Sequence, residues 1–270
     1  MLRTRILTAA VLACVLLAGL FLLSAPWSVL AFGAVFTVGA WEWAAFGALR
    51  GTASRVAYAA GIALLLLLAW CWTALQAHLT LLLGAACVWW MIALLWLSLA
   101  PSRHHPYLAL VCGVPVLVPA FIALARLQVV TRGFARGPQI VLWLVLLVTA
   151  ADIGAYFAGR SLGRRKLAPR VSPAKTWEGA LGGLLMVSLV AWGGAAYFGF
   201  APLEVVAFGC AVGVFSIIGD LTESMFKRAA GLKDSGALLP GHGGLLDRID
   251  SVTAAAPLYA LGLFGSGVIA

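Results

Sequence analysis

Asp220, Glu223 and Ser224 stand at i, i+3 and i+4 where a long apolar run ends, a spacing that puts all three on one helical face. Lys227 and Arg228 follow one turn later. Gly231 then breaks the helix, Lys233 and Asp234 lie in the turn beyond it, and Gly236, Pro240 and the run Gly241-His242-Gly243-Gly244 lead to Asp247, Arg248 and Asp250, where a helix reopens. Carboxylates gathered at helix ends form a hard-oxygen site. Magnesium favours such oxygens, usually one or two carboxylates completed by substrate phosphates and water. Zinc does not fit, because His242 has no cysteine or second histidine beside it. Lys227, Arg228, Lys233 and Arg248 can neutralise phosphates, arginine being suited to bidentate contacts. A plainer reading stays open from these residues alone. Glu223 and Lys227 have the spacing of an ordinary helical ion pair, and Asp247 with Asp250 can cap the positive end of the last helix.

A second constellation lies upstream. Asp152 falls inside an apolar segment with Tyr156 one turn on, and Arg160, Arg164, Arg165, Lys166, Arg170 and Lys175 follow. The string Ser172-Pro173-Ala174-Lys175-Thr176-Trp177-Glu178-Gly179 then enters the next apolar run. Pro173 fixes a turn, Thr176 is placed to cap the helix through its hydroxyl, and Glu178 sits in the first turn. Phosphates bind readily at such an N-terminus. The competing reading is a basic membrane anchor followed by a capped helix. Neither a GxxxxGK[ST] loop nor a GxGxxG fingerprint occurs.

These residues must be positioned by membrane helices. Of the 270 residues 63% are apolar and only 10% charged, where a soluble domain carries about 25% charged residues. The fold class expected is all-α, a polytopic integral membrane protein of about nine transmembrane helices, near 6–23, 28–48, 56–73, 79–100, 107–125, 139–158, 180–199, 203–221 and 252–269. The first of these is read as a spanning helix and not a signal peptide, since its apolar run is long and its cleavage signal weak. The first 150 residues carry a single acid, Glu42, so 1–138 reads as an N-terminal transmembrane scaffold and 139–270 as the catalytic region, with loops 159–179 and 222–251. One span pair separates those loops, which places them on the same face. Their positive excess puts that face in the cytoplasm, together with Arg3, Arg5 and the N-terminus. The 126–138 stretch, with Arg126, Arg132 and Arg136, runs against this rule. Asp152 and Asp220 near membrane depth point to function, because a carboxylate there is expensive. Tryptophans near span ends read as an interfacial belt, and the five cysteines sit singly in apolar stretches as small hydrophobes. Net charge is +9, yet no nucleic-acid-binding pattern accompanies it, so nucleic acid is not an expected partner. A transporter would keep its charges near the midplane, whereas these cluster at one face.

The string from Ser224-Met225-Phe226-Lys227-Arg228 through Lys233-Asp234-Ser235-Gly236 to Leu239-Pro240-Gly241-His242-Gly243-Gly244-Leu245-Leu246-Asp247-Arg248-Ile249-Asp250 resembles the signature of the phosphatidate cytidylyltransferase (CDP-diacylglycerol synthase) family. The segments from Asp152 to Arg160 and from Ser172 to Gly179 are similar to that family as well. The resemblance implies a multi-span inner-membrane enzyme, often dimeric, that makes CDP-diacylglycerol and pyrophosphate from CTP and phosphatidate with magnesium, assisted by potassium. It implies that Asp220 and Asp247 carry the metal centre, and Asp250 or Glu223 is the expected supporting ligand. Asp220, Asp247, Asp250, Lys227, Arg228 and His242 are then the expected catalytic group. Asp152, Ser172, Lys175, Thr176, Lys233, Asp234 and Arg248 are expected around the substrate phosphates.

Overall fold

The computed structural model describes residues 2–101, 106–131, 133 and 135–269, with side chains from Ile6 onward. The side chains of Arg3 and Arg5, the whole of Arg132, and most of the break between Pro101 and Pro106 lie outside the described residues. Nine α-helices occur among the described residues: α1 (Leu2–Phe21), α2 (Ala25–Trp43), α3 (Thr52–Trp72), α4 (Gln76–Leu99), α5 (Pro106–Gln128), α6 (Gly137–Leu162), α7 (Trp177–Phe198), α8 (Pro202–Ala229) and α9 (Asp250–Gly265). Each corresponds to one expected apolar segment. Six of them, α3 to α8, are long and apolar enough to cross a membrane. The expected all-α membrane architecture of nine helices stands, and six of the nine qualify as spans by length and composition alone. Among the residues with described side chains, the apolar stretch of α1 covers Ile6–Phe21. Glu42, Pro26 and three tryptophans temper α2, and α9 has 16 residues, which at 1.5 Å each rise only about 24 Å against a hydrocarbon core of roughly 30 Å.

Consecutive helices alternate in direction, as side-chain contacts at the two ends show. At one end the C-terminus of α2, the loop before α9 and the segment between α6 and α7 meet α8. At the other, Gln128 donates to the Leu20 carbonyl at 3.0 Å, and Gly133 lies against Val268 and Ile269. Arg126 there donates to the Trp70 carbonyl and stacks 4.0 Å over the Trp70 ring. It caps the exposed carbonyl end of α3, which is the physical use of one of the three arginines that violated the charge pattern.

The 159–179 segment is more ordered than a loop. α6 continues to Leu162, and a small antiparallel hairpin follows, β1 (Lys166–Ala168) with β2 (Ser172–Thr176), pairing Lys166 with Thr176 and Ala168 with Ser172. α6 and α7 then pack through small residues. A Cβ on Gly183 would stand 2.7 Å from the Ala151 carbonyl oxygen, so glycine is what lets the two backbones approach. Gly219 does the same between α8 and α9, where a Cβ would lie 2.7 Å from the Asp250 carbonyl. α9 itself packs on α8, α5 and α4, and Ser251, Thr253, Ala254 to Pro257, Tyr259 and Ala260 are buried. The shortest helix is thus interior, and both halves of the chain enclose it.

Candidate active site

Between α6, β2, α7 and α8 lies a cavity of about 470 Å³ whose polar wall is Asp152, Tyr156, Arg160, Lys175, Thr176 and Asp220. Lys175 Nζ, carried by β2, forms an ion pair with Asp220 Oδ2 on α8. Ser224 Oγ, one turn further along α8, donates to Asp220 Oδ1 at 3.3 Å. Thr176 caps α7 as expected, its Oγ1 accepting from the Gly179 N–H at 3.1 Å. The Glu178 carboxylate accepts from the Arg164 N–H at 3.0 Å and the Arg165 N–H at 3.2 Å, which ties the end of α6 to the start of α7 and fixes the hairpin between them. Arg160 donates to the Tyr156 hydroxyl at 2.7 Å.

A second carboxylate centre sits where the loop after α8 folds back. Asp247, in a short 3-10 turn, receives Lys227 Nζ on Oδ1 at 2.7 Å. Its Oδ2 accepts the N–H groups of Ser235 at 2.9 Å and Gly244 at 2.8 Å. Burial pushes the Asp247 carboxyl up, but the Lys227 ammonium and these two backbone donors outweigh it and hold the carboxyl below its usual range. Gly241 and Gly243 have φ of 76° and 83°, so the Gly-His-Gly-Gly run meets a real left-handed requirement there. Gly244 is needed for a different reason, since a Cβ would stand 2.6 Å from Glu42 Oε2 and 2.7 Å from the Gly236 nitrogen.

One ammonium joins these carboxylates along α8. Lys227 also lies 3.1 Å from Glu223 Oε1. Glu223 is 3% exposed, and neither of its oxygens has a hydrogen-bond partner among the described residues; the Lys227 contact is within ion-pair distance but off hydrogen-bond geometry. Asp250 accepts from the Ser251 N–H at 2.7 Å and is close enough to feel the charges of Asp220, Glu223 and Lys227. Asp152 likewise feels Asp220, Lys175 and Arg248. Asp152, Asp220, Glu223, Asp247 and Asp250 are thus linked neighbour to neighbour, a set that does not include Asp234.

The remaining expected residues divide. Arg228 directs its guanidinium to backbone, Nε to the Val171 carbonyl at 3.4 Å and Nη1 to the Leu232 carbonyl at 3.3 Å, so it straps the hairpin to α8. Arg248 donates to the His242 carbonyl at 2.9 Å. His242 keeps Nδ1 buried without a partner among the described residues. Lys233 and Asp234 are exposed in the turn, and Ser172 lies on β2 opposite Ala168.

Among the described residues no three His, Cys, Asp or Glu side chains form a ready-made metal cage. The donors nonetheless fit magnesium, which needs only one or two carboxylates when phosphates and water complete its shell. Buried Glu223 offers two hard oxygens lacking hydrogen bonds among the described residues.

The residue that sequence reasoning missed is Glu42. It is fully buried at the end of α2. Its carboxylate accepts from the Leu245 N–H at 3.1 Å, the Leu246 N–H at 2.7 Å and Ser235 Oγ at 3.1 Å. Its signal was present all along, as the lone acid in 150 apolar-rich residues.

Residues 3–264 match the model of the cytidylyltransferase family. A phosphatidate cytidylyltransferase of Pseudomonas aeruginosa is 43% identical over 278 residues, spanning 99% of this chain and 98% of that protein. One of Haemophilus influenzae is 40% identical over 287 residues, spanning 96% and 98% respectively. One of Brucella suis is 50% identical over 134 residues, 47% of this chain and 46% of its own.

Proposed function

The chain belongs to the cytidylyltransferase family, and from that membership we propose that it transfers the cytidylyl group of CTP to phosphatidate, giving CDP-diacylglycerol and pyrophosphate. The observation that carries this reading is the pair of lysine–carboxylate centres at one end of α8, Lys175 with Asp220 lining a cavity and Lys227 with Asp247 in the loop beyond the helix. Both substrates are strongly anionic and repel each other. A site for their reaction must first cancel charge and then align the phosphate oxygen of phosphatidate with the α-phosphorus of CTP. Lys175 and Lys227 are fixed by carboxylates, so their ammonium groups are pre-oriented and need no reorganisation when phosphates arrive. No general base is required, because a phosphate monoester is already ionised near neutral pH.

Asp220 and Asp247, with Glu223 or Asp250 in support, would hold magnesium, which supplies charge stabilisation on phosphate oxygens and orientation of the leaving pyrophosphate. The resemblance extends this proposal to potassium assistance and to a homodimer. Lys233 and Arg248 are assigned to the triphosphate. Arg160 and the exposed cations of the hairpin are assigned to drawing in the lipid headgroup. His242 is assigned to orienting a phosphate.

Ten of the 18 Lys and Arg residues lie between Arg160 and Arg248, while Arg126 and Arg136 belong to the far end. This asymmetry supports an inner-membrane orientation with the site facing the cytoplasm, where water-soluble CTP is available. The test is product formation by the purified full-length chain in lipid nanodiscs with CTP, phosphatidate and magnesium, read by mass spectrometry. CDP-diacylglycerol is the expected product. Folded protein that makes none, or that phosphorylates a lipid alcohol instead, overturns the reading.

A further inference from the structure

Glu42 comes from the half of the chain that otherwise carries no acid before Asp152, yet it ends in the loop that carries Asp247. Three donors face its carboxylate, two backbone N–H groups and one hydroxyl. That arrangement suits a carboxylate and not a carboxamide, whose NH₂ would confront an N–H group.

One loop residue, Ser235, is held by both Glu42 and Asp247. Ser235 gives its N–H to Asp247 Oδ2 and its hydroxyl to Glu42 Oε2. Gly244 gives its N–H to Asp247 Oδ2, and a Cβ added there would collide with Ser235 Oγ and stand 2.6 Å from Glu42 Oε2. Leu245 and Leu246, the two residues that precede Asp247, are pinned by Glu42 alone. The loop is therefore closed by two carboxylates, one of its own and one from α2. The one on α2 sits on a rigid helix, because Trp43 beside it donates to the Ala109 carbonyl at 2.7 Å and is fully buried.

We propose that Glu42 is a positioning residue for cytidylyl transfer. It fixes the Ser235 side chain and the backbone at 245–246, and so sets the direction in which Asp247 holds Lys227 toward the substrate phosphates. Glu42 touches no substrate in this scheme and acts through Asp247. The inference rests on the reaction proposed above, and its test separates the two.

The experiment uses the full-length chain in nanodiscs, as wild type, Glu42→Gln, Glu42→Asp and Ser235→Ala. Hydrogen exchange reads the loop, and steady-state kinetics reads the reaction. In Glu42→Gln the amides at 245 and 246 are expected to exchange about tenfold faster or more, with α8 and α9 protection unchanged. Turnover is expected to fall on the order of 100-fold, as a small misplacement of reacting groups does, with the KM for phosphatidate little changed. Glu42→Asp keeps an acceptor and is expected to recover part of the turnover that Glu42→Gln loses. Ser235→Ala removes one donor of three and should cost only a few-fold.

A purely architectural Glu42 would lower the folded fraction without altering turnover per folded molecule. That result overturns the proposal, as does unchanged exchange at 245 and 246. Absence of CDP-diacylglycerol from the wild type overturns the reaction instead, and the exchange data then still decide whether Glu42 closes the loop.

Discussion

Asp220 and Asp247 each have a lysine at one oxygen, and this decides what their loss should do. Asn at either position keeps the size and removes the charge that would bind a cation and orient the lysine. We expect Asp220→Asn and Asp247→Asn to lower turnover on the order of 100-fold or more, measured as CDP-diacylglycerol per folded molecule. Full activity in either variant refutes the metal assignment for that residue. Asp247 also predicts a pH response. Its carboxyl is lower in the folded chain than its ordinary value of about 3.9, so the folded loop binds fewer protons than the unfolded one and gains stability as pH rises through that window. The contribution is complete above the ordinary value and fades as pH falls through the lower folded one. Amide protection at 235 and 244 should hold flat from neutral pH to about 5 and drop only in stronger acid. In Asp247→Asn that acid step should vanish.

At the scale of elements, glycines and caps set the geometry. Gly244→Ala would drive a Cβ into Glu42 and the Gly236 backbone, a clash worth about 1–3 kcal/mol. A lower melting temperature and lost activity are expected together. Gly193→Ala on α7 is the matched control, since nothing lies within 4 Å of its added Cβ, and its melting temperature should not fall. Thr176→Ala removes the α7 cap and should cost about 1 kcal/mol. It should also weaken activity, because Thr176 follows Lys175 directly and lines the same cavity.

For the whole molecule, the alternating helices put the 160–175 segment and the 232–249 loop on one face and Val129, Val130, Thr131 and Arg136 on the other. A membrane-impermeant thiol reagent tests this with single cysteines placed at Arg164, Lys233 and Thr131 in a chain freed of its five native ones. Arg164→Cys and Lys233→Cys should label from the same side of sealed vesicles, and Thr131→Cys only from the other. Labelling of all three from one side would refute the alternation. The short α9 adds a stability consequence. Its small residues pack against α4, α5 and α8, so Ala255→Leu should overpack the centre and destabilise the chain by about 1–3 kcal/mol.

Much of this was legible in the sequence because its cause is local. Twenty apolar residues in lipid have no backbone partners but their own, so the nine helical segments were visible from hydropathy alone. Thr176 as a cap and the acidic face of Asp220, Glu223 and Ser224 follow from helical spacing. The hairpin at 166–176 was not visible, since its two strands are too short to show alternation and are held by Glu178 from outside. The interior place of α9 was not visible either: by composition it resembles a lipid-facing segment, and only its packing shows that protein covers it. Glu42 is the clearest case. Its partners lie about 200 positions away in the chain, and no spacing rule reaches that far. The sequence determined which groups could bind phosphates and metal. Only tertiary packing decided which carboxylate faces the cavity and which one holds the loop, because direction comes from contacts between distant helices and not from residue type.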